Sequence, residues 1–331
     1  MNDCFTSHGH NMFDISSLVQ KSLRRGDTIP SYYAANQMAD RYRGYLWKRL
    51  LTVSMEDCND MVTGRVLELR NADLSADSND YSKISLAVSI LIHARKNRDA
   101  DYFICNYQNS FKRRELTKYV CSPKTSSYCM TKNWHHAFDV RDFLVTAIGE
   151  RDGENAGYAA YELVTRYPKL FWNTIYSQSV GYNFTYLSKE IKSLEYAGSK
   201  HKLDELAAAK AIVLMMKCLS LKDDAPFVCA IIDDGQNLHQ FDDVYCDIPD
   251  YAYDCHTKIG RMRGKTKRDF IKDEYDALHP RVEGLYDRAG WDNFFFLDRF
   301  GWDDPNVQAA PMPDKKTIAM IDSGVEQLSM F

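Results

Sequence analysis

The nine cysteines, Cys4, Cys58, Cys105, Cys121, Cys129, Cys218, Cys229, Cys246 and Cys255, are odd in number and contain no CxxC pair. A disulfide framework is therefore excluded, and a reducing compartment is expected. The sequence also lacks an apolar run of membrane-spanning length, and its opening, MNDCFTSHGHNMF, has neither a basic nor a hydrophobic leader region. These two absences point away from a membrane and to a cytoplasmic location. With a net charge of -4 the chain has no overall pull toward nucleic acid, so any such contact must come from a local basic patch.

Signatures of catalysis are missing too. There is no HExxH and no nucleophile elbow. His8 and His10, like His135 and His136, find no second cluster at zinc spacing, and they read as a flexible N-terminus and as a loop or helix cap before Phe138. GRMRGKT, Gly260 to Thr266, has three residues between its glycines where a phosphate loop needs four. FVCAIIDDG, Phe227 to Gly235, imitates an apolar strand with a magnesium-holding acidic pair, but it precedes that loop without the expected module between them. No catalytic residue, metal or cofactor is expected.

What the chain has is length and apolar mass. Its 331 residues suffice for two or three domains, and 45% hydrophobic with 13% aromatic residues can fill their cores. The sequence also matches itself. FDISSLVQKSLRRGDTIPSYYAANQMADRYRGYLW from Phe13 returns as FDVRDFLVTAIGERDGENAGYAAYELVTRYPKLFW from Phe138, an offset of 125 residues. Each copy reads as helices. Ile15, Leu18, Val19 and Ser22 recur at helical spacing, Thr28 reads as an N-cap with Pro30 in the first turn, and Ala34 with Ala35 permits close helix packing. Ile84 to Ala94 and Leu206 to Leu219 read as the central helices of the copies. Core packing is expected of the aromatics in this pattern, above all Tyr33, Tyr158, Trp47 and Trp172. The register also pairs Phe227 to Ile232 with helical Tyr102 to Tyr107.

These letters carry a resemblance. FDISSLVQKSLRRGD, with Lys21, Ser22, Gly26 and Asp27, LLTVSMEDC, with Glu56 and Asp57, and ISLAVSILIHARKNRDADYF resemble the C-terminal helical region of the replication-associated recombination protein A family. Those proteins are AAA+ ATPases related to clamp loaders and to the Werner-helicase-interacting ATPase. The second copy keeps the helical skeleton but has Thr146 and Ala147 for Lys21 and Ser22, and Gly181 and Tyr182 for Glu56 and Asp57. The resemblance implies a diverged duplicate of an oligomerisation unit without the ATPase module. Such a derivative suits a phage or mobile element, and it would form a homo-oligomer or pair with a resident ATPase of the family.

Past the second copy runs a basic seam. Lys258, Arg261, Lys265, Arg268 and Lys272 follow steps of three and four, one stripe if the segment is a single helix, and Arg263 and Lys267 widen it. Ile259, Met262 and Phe270 lie off the stripe and are expected to face the body. The seam suits nucleic-acid phosphates. It equally suits a solvated face paired with Asp242, Asp243, Asp247, Asp250 and Asp254.

The final letters, Gln327, Leu328, Ser329, Met330 and Phe331, resemble the peptide with which bacterial replication proteins bind the DNA polymerase III beta sliding clamp. In an extended arm the three apolar side chains can enter adjoining pockets while the Gln327 amide pairs with a polar wall.

The expected organisation is all-α: a flexible N-terminus (1–12), two tandem clamp-loader-collar-like helical units (13–125 and 126–240), a C-terminal segment with the basic helix (241–310) and a mobile tail (311–331). The expected function is a non-enzymatic accessory role in DNA replication or repair. Two alternatives remain, a metal-dependent nucleic-acid-processing enzyme around Asp233 and Asp234, and an adaptor or inhibitor of a replication-associated recombination ATPase.

Overall fold

In the computed structural model the described residues are 4–77, 79–104 and 137–285. Their regular structure is entirely helical, with isolated bridges and no strand, so the fold is all-α. The helices fall into two compact units. Unit 1 holds α1 (Met12–Arg25), α2 (Thr28–Ala39), α3 (Arg43–Glu56), α4 (Thr63–Asp73) and α5 (Ser82–His93). Unit 2 holds α6 (Ala137–Glu150), α7 (Gly153–Arg166), α8 (Pro168–Gly181), α9 (Thr185–His201) and α10 (Asp204–Leu221). The chain then returns to unit 1 over Phe227–Asp287, adding the short α11 (Lys258–Met262) and α12 (Lys267–Asp276). This differs from the expected boundaries, which gave 227–240 to the second copy and set the following segment apart.

Local chemistry explains the helix ends. The Asn11 side chain accepts from the Phe13 amide to start α1, Asp14 lies in its first turn and Arg24 and Arg25 in its last, matching the helix dipole. Gly26 ends it at φ +66°, and a side chain there would press on His279 at 3.2 Å. The cap position of α2 is Asp27 rather than Thr28, and its side chain makes no capping bond. Pro168 opens α8 at a position that needs no N–H donor. In unit 2 the Asp224 carboxylate accepts from the Tyr186 and Leu187 amides at 2.7 and 3.0 Å, supplying the first turn of α9 from a distant residue.

The helices of unit 2 repeat those of unit 1 in order. The bounds of α6 and α8 are those of α1 and α3 shifted by the 125 residues of the sequence offset. Every helix pair that packs among α1–α5 has its counterpart among α6–α10. Trp47 and Trp172, one offset apart, are both buried, and Tyr33, Ala34 and Ala35 are fully inside unit 1. The central positions of α5 and α10 are buried as their composition requires. Tyr158 has no described side chain, while Phe13, the first aromatic of the pattern, is 59% exposed.

Two further expectations are corrected. Residues 228–232 of the expected helical stretch Phe227 to Ile232 are not helical, because they lie along unit 1: Val228 bridges Met61, Ser89 donates to the Ile232 carbonyl, and Asp234 just beyond accepts from Tyr32 at 2.7 Å. His8 and His10 are held in place. Both rings reach the Tyr33 hydroxyl, and His10 stacks on Tyr245.

Candidate functional site

An open groove of about 1010 Å³ lies in unit 1. One wall comes from α1 and α3, through Phe13, Asp14, Ser16, Gln20, Tyr45 and Arg49. The other comes from the returning segment, through His256, Lys258, Ile259, Arg261, Met262 and Phe270. Lys21, Arg24 and Asp254 line it too.

Among the described residues, three of its cations have no carboxylate partner. Arg49 is fixed by neutral groups only, Ser16 Oγ at 3.1 Å, Gln20 Oε1 at 2.8 Å and the Tyr45 hydroxyl at 3.4 Å. Arg261 donates to the carbonyls of Cys255 and His256 at 3.4 and 2.8 Å, and Lys258 stands exposed without an ion pair among the described residues. A guanidinium already oriented and not neutralised is a prepared receptor for an anion. Around these cations Phe13, Tyr45 and Met262 expose apolar surface, Met262 to 78%. The expectation that Ile259, Met262 and Phe270 pack on the body thus fails for Met262, while Ile259 and Phe270 are half-buried at the groove.

The other groove cations are neutralised. Lys21 pairs with Asp254 at 2.7 Å and donates to the Ala252 carbonyl at 3.1 Å. Against the effect of burial, hydrogen bonds from His256 and Lys21 hold Asp254 well below the ordinary carboxylate range. Arg24 enters a buried cluster with Arg98 and three carboxylates. Its Nε lies 3.0 Å from Asp57, its Nη1 3.0 Å from Glu274 and its Nη2 3.4 Å from Glu56. Arg98 lies 2.8 Å from Glu56 and 2.9 Å from Glu274. Burial and the neighbouring Arg98 oppose the charge of Arg24, but Asp57, Glu274 and Glu56 outweigh them and its pKa is raised. Asp14, buried on the groove wall, has its carboxyl pushed up by desolvation.

The residues singled out by resemblance therefore divide. Lys21, Glu56 and Asp57 belong to these buried ion pairs. Ser22 donates back to the Leu18 carbonyl, and Gly26 and Asp27 make the turn between α1 and α2. Sequence reasoning missed Arg24, Arg49, Arg98 and Glu274, whose partners lie far away in the chain. At the unit 2 positions one offset on from Arg24 and Arg98 stand Gly149 and Asp223, so unit 2 does not carry this cluster.

The basic seam is not one stripe. A turn at Gly264, φ +73°, parts α11 from α12, and Thr266 with Asp269 forms a capping box that starts the second helix afresh. Among the described seam side chains, only Lys258 and Arg261 line the groove. Arg263 and Lys265 both pair with Asp250, as the solvated-face reading expected. Lys267 and Lys272 are exposed on α12, and the Arg268 side chain lies outside the described residues. Gly260, in the decoy phosphate loop, is buried. A Cβ there would meet the Asp254 carbonyl oxygen at 1.9 Å, so its glycine serves packing.

Asp233 accepts from the Gly235 amide, and Asp234 accepts from Tyr32 and the Gln236 amide. Among the described residues no group of three His, Cys, Asp or Glu side chains could hold a metal, and no helix is long and apolar enough to cross a membrane. Gln327 to Phe331 lie outside the described residues. In comparisons with known proteins, no family model, no curated protein and no solved structure matches this chain.

Proposed function

We propose that the protein is a non-enzymatic accessory factor of DNA replication or repair, a helical scaffold whose unit 1 groove contacts nucleic-acid phosphates and whose terminal QLSMF recruits it to the beta sliding clamp. The observation that carries the reading is the unneutralised trio Arg49, Lys258 and Arg261 on one groove beside exposed Phe13, Tyr45 and Met262. Cations fix a phosphate backbone and aromatic faces accept bases, a combination that needs no sequence readout. The shared helix order and pairings of the two units support a scaffold built by duplication, with the charged cluster belonging to unit 1 alone. Assembly into a homo-oligomer, or with an ATPase of the recombination family, belongs to the same proposal through the resemblance of Lys21, Ser22, Gly26, Asp27, Glu56 and Asp57.

Two measurements test it. Capture of purified beta clamp by the full chain should be lost in Leu328→Ala/Phe331→Ala, and equal capture by both forms would remove the recruitment. Anisotropy of a labelled oligonucleotide at rising salt should show binding that weakens in Lys258→Glu/Arg261→Glu. Unchanged affinity would remove the groove contact.

A further inference from the structure

The unit 1 groove also holds an unmatched carboxyl group. Asp14 lines it at 7% exposure and makes no side-chain hydrogen bond or ion pair among the described residues. The positive end of α1 favours its charge but brings no donor to its oxygens, and desolvation accordingly pushes the carboxyl up. A carboxylate buried without donors is costly, and a ligand that supplies them recovers the cost. A metal ion does not fit, since Arg49, Lys258 and Arg261 line the same groove and no group of three metal-ligating side chains occurs among the described residues. What fits is a ligand that brings anionic oxygens to the cations, a flat face to Phe13 and Tyr45, and neutral N–H donors to Asp14. A nucleotide has all three.

The bases differ in the third. On its Watson–Crick edge guanine alone presents two parallel N–H donors, at N1 and N2, which match the two oxygens of a carboxylate, whereas adenine, cytosine and thymine each present one donor group there. We propose that the unit 1 groove binds single-stranded nucleic acid with a preference for guanine, Asp14 accepting from N1–H and N2–H while phosphates meet Arg49, Lys258 and Arg261. The strand must be single because base pairing occupies that edge. The groove's volume of about 1010 Å³ lies at the top of the range of about 300–1,000 Å³ for sites that hold a drug-sized ligand, so a whole nucleotide fits. The inference rests on the reading of the groove as a phosphate-binding surface and deepens it from backbone contact to base selection.

The probe is a short fluorescein-labelled oligothymidylate with one central guanine, titrated by anisotropy with the full-length chain beside oligomers carrying adenine, cytosine or hypoxanthine at that place. The guanine strand should bind about tenfold more tightly than the adenine and cytosine strands, with hypoxanthine, which keeps N1–H but lacks the 2-amino group, in between. Asp14→Asn, whose amide offers one donor and one acceptor to N1 and N6 of adenine, should reverse the order of the guanine and adenine strands. A merely structural Asp14 would weaken every strand alike. Annealing the complement should remove the preference, and free guanosine monophosphate should compete far less well than the strand. Equal affinity for the four strands on the unaltered chain, a uniform loss in Asp14→Asn, a preference that survives annealing, or competition by the free nucleotide as effective as that by the strand overturns base selection. The comparison on the unaltered chain needs no substitution to fold. Equal binding of all four strands leaves the phosphate contact in place, whereas binding of none removes that reading and this one with it.

Discussion

Arg24 and Arg98 donate to the same oxygen of Glu274, at 3.0 and 2.9 Å, so α1 and the segment after α5 are both fastened to α12 through one carboxylate. All three side chains are almost fully buried. Such a cluster holds its members in one arrangement, and the cost of losing a partner exceeds the net value of the pair.

Glu274→Ala should therefore lower unfolding stability by about 3 kcal/mol, read as a shift in urea midpoint, with Glu274→Gln losing less because it keeps the shape and one acceptor. The same substitution should weaken oligonucleotide binding although Glu274 does not line the groove, because α12 contributes Phe270 to its wall. Unaltered stability would mean that the two arginines do not depend on this carboxylate.

Charge reversals along the seam should not be equivalent. Lys258→Glu with Arg261→Glu should weaken oligonucleotide binding and flatten its dependence on salt by about one unit of log–log slope per lost phosphate contact. Arg263→Glu with Lys265→Glu should do much less, since both cations share the Asp250 carboxylate and neither lines the groove. Equal effects of the two double variants would mean that the seam acts by overall charge and that the groove has no special part.

In unit 2, burial of Glu162 beside Arg166 pushes its carboxyl from 4.5 up to about 7, the charge of Arg166 offsetting only part of the desolvation. The native state then holds a proton that the unfolded chain releases. Its contribution is full below pH 4.5 and is lost as pH rises through about 7, by roughly 3 kcal/mol at most. Urea midpoints at pH 5 and pH 8 should show the decline, and Glu162→Gln should flatten it. A slope unchanged in that variant would assign the pH dependence to other groups.

Gly260→Ala should be far more damaging than Gly264→Ala. A Cβ at 260 would lie 1.9 Å from the Asp254 carbonyl oxygen, forcing apart the loop that presents Asp254 to Lys21. At 264 there is open space and the cost is the left-handed backbone alone, about 1 kcal/mol. Thermal unfolding of the two variants ranks them, and the reverse order would mean that the 254–260 loop tolerates displacement.

The helices of each unit were legible because their signals are local. Periodic apolar positions and Pro30 in a first turn are read within a few turns of chain, and the self-match repeats the same local pattern 125 residues on. The same locality misled at Phe227 to Ile232, where the repeat register promised a helix. The Phe227 carbonyl instead accepts from the Met61 amide, and the residues after it run along unit 1, with Ser89 donating to the Ile232 carbonyl and Tyr32 to Asp234. The seam misled for a related reason. Its steps of three and four are real, but Gly264 and the Thr266 capping box break the helix that would have aligned them.

By itself the sequence determined the all-α class, the presence of central apolar helices near Ile84 to Ala94 and Leu206 to Leu219, and the chemical character of its seam and tail, since these depend on residues that are neighbours along the chain. Only the tertiary structure decided that Glu274 meets Arg24 and Arg98, that Asp250 pairs with Arg263 and Lys265, and that Lys258 and Arg261 line one groove with Arg49. Ion pairing between residues up to 250 positions apart leaves no periodic trace, because burial and distance rather than spacing select its partners.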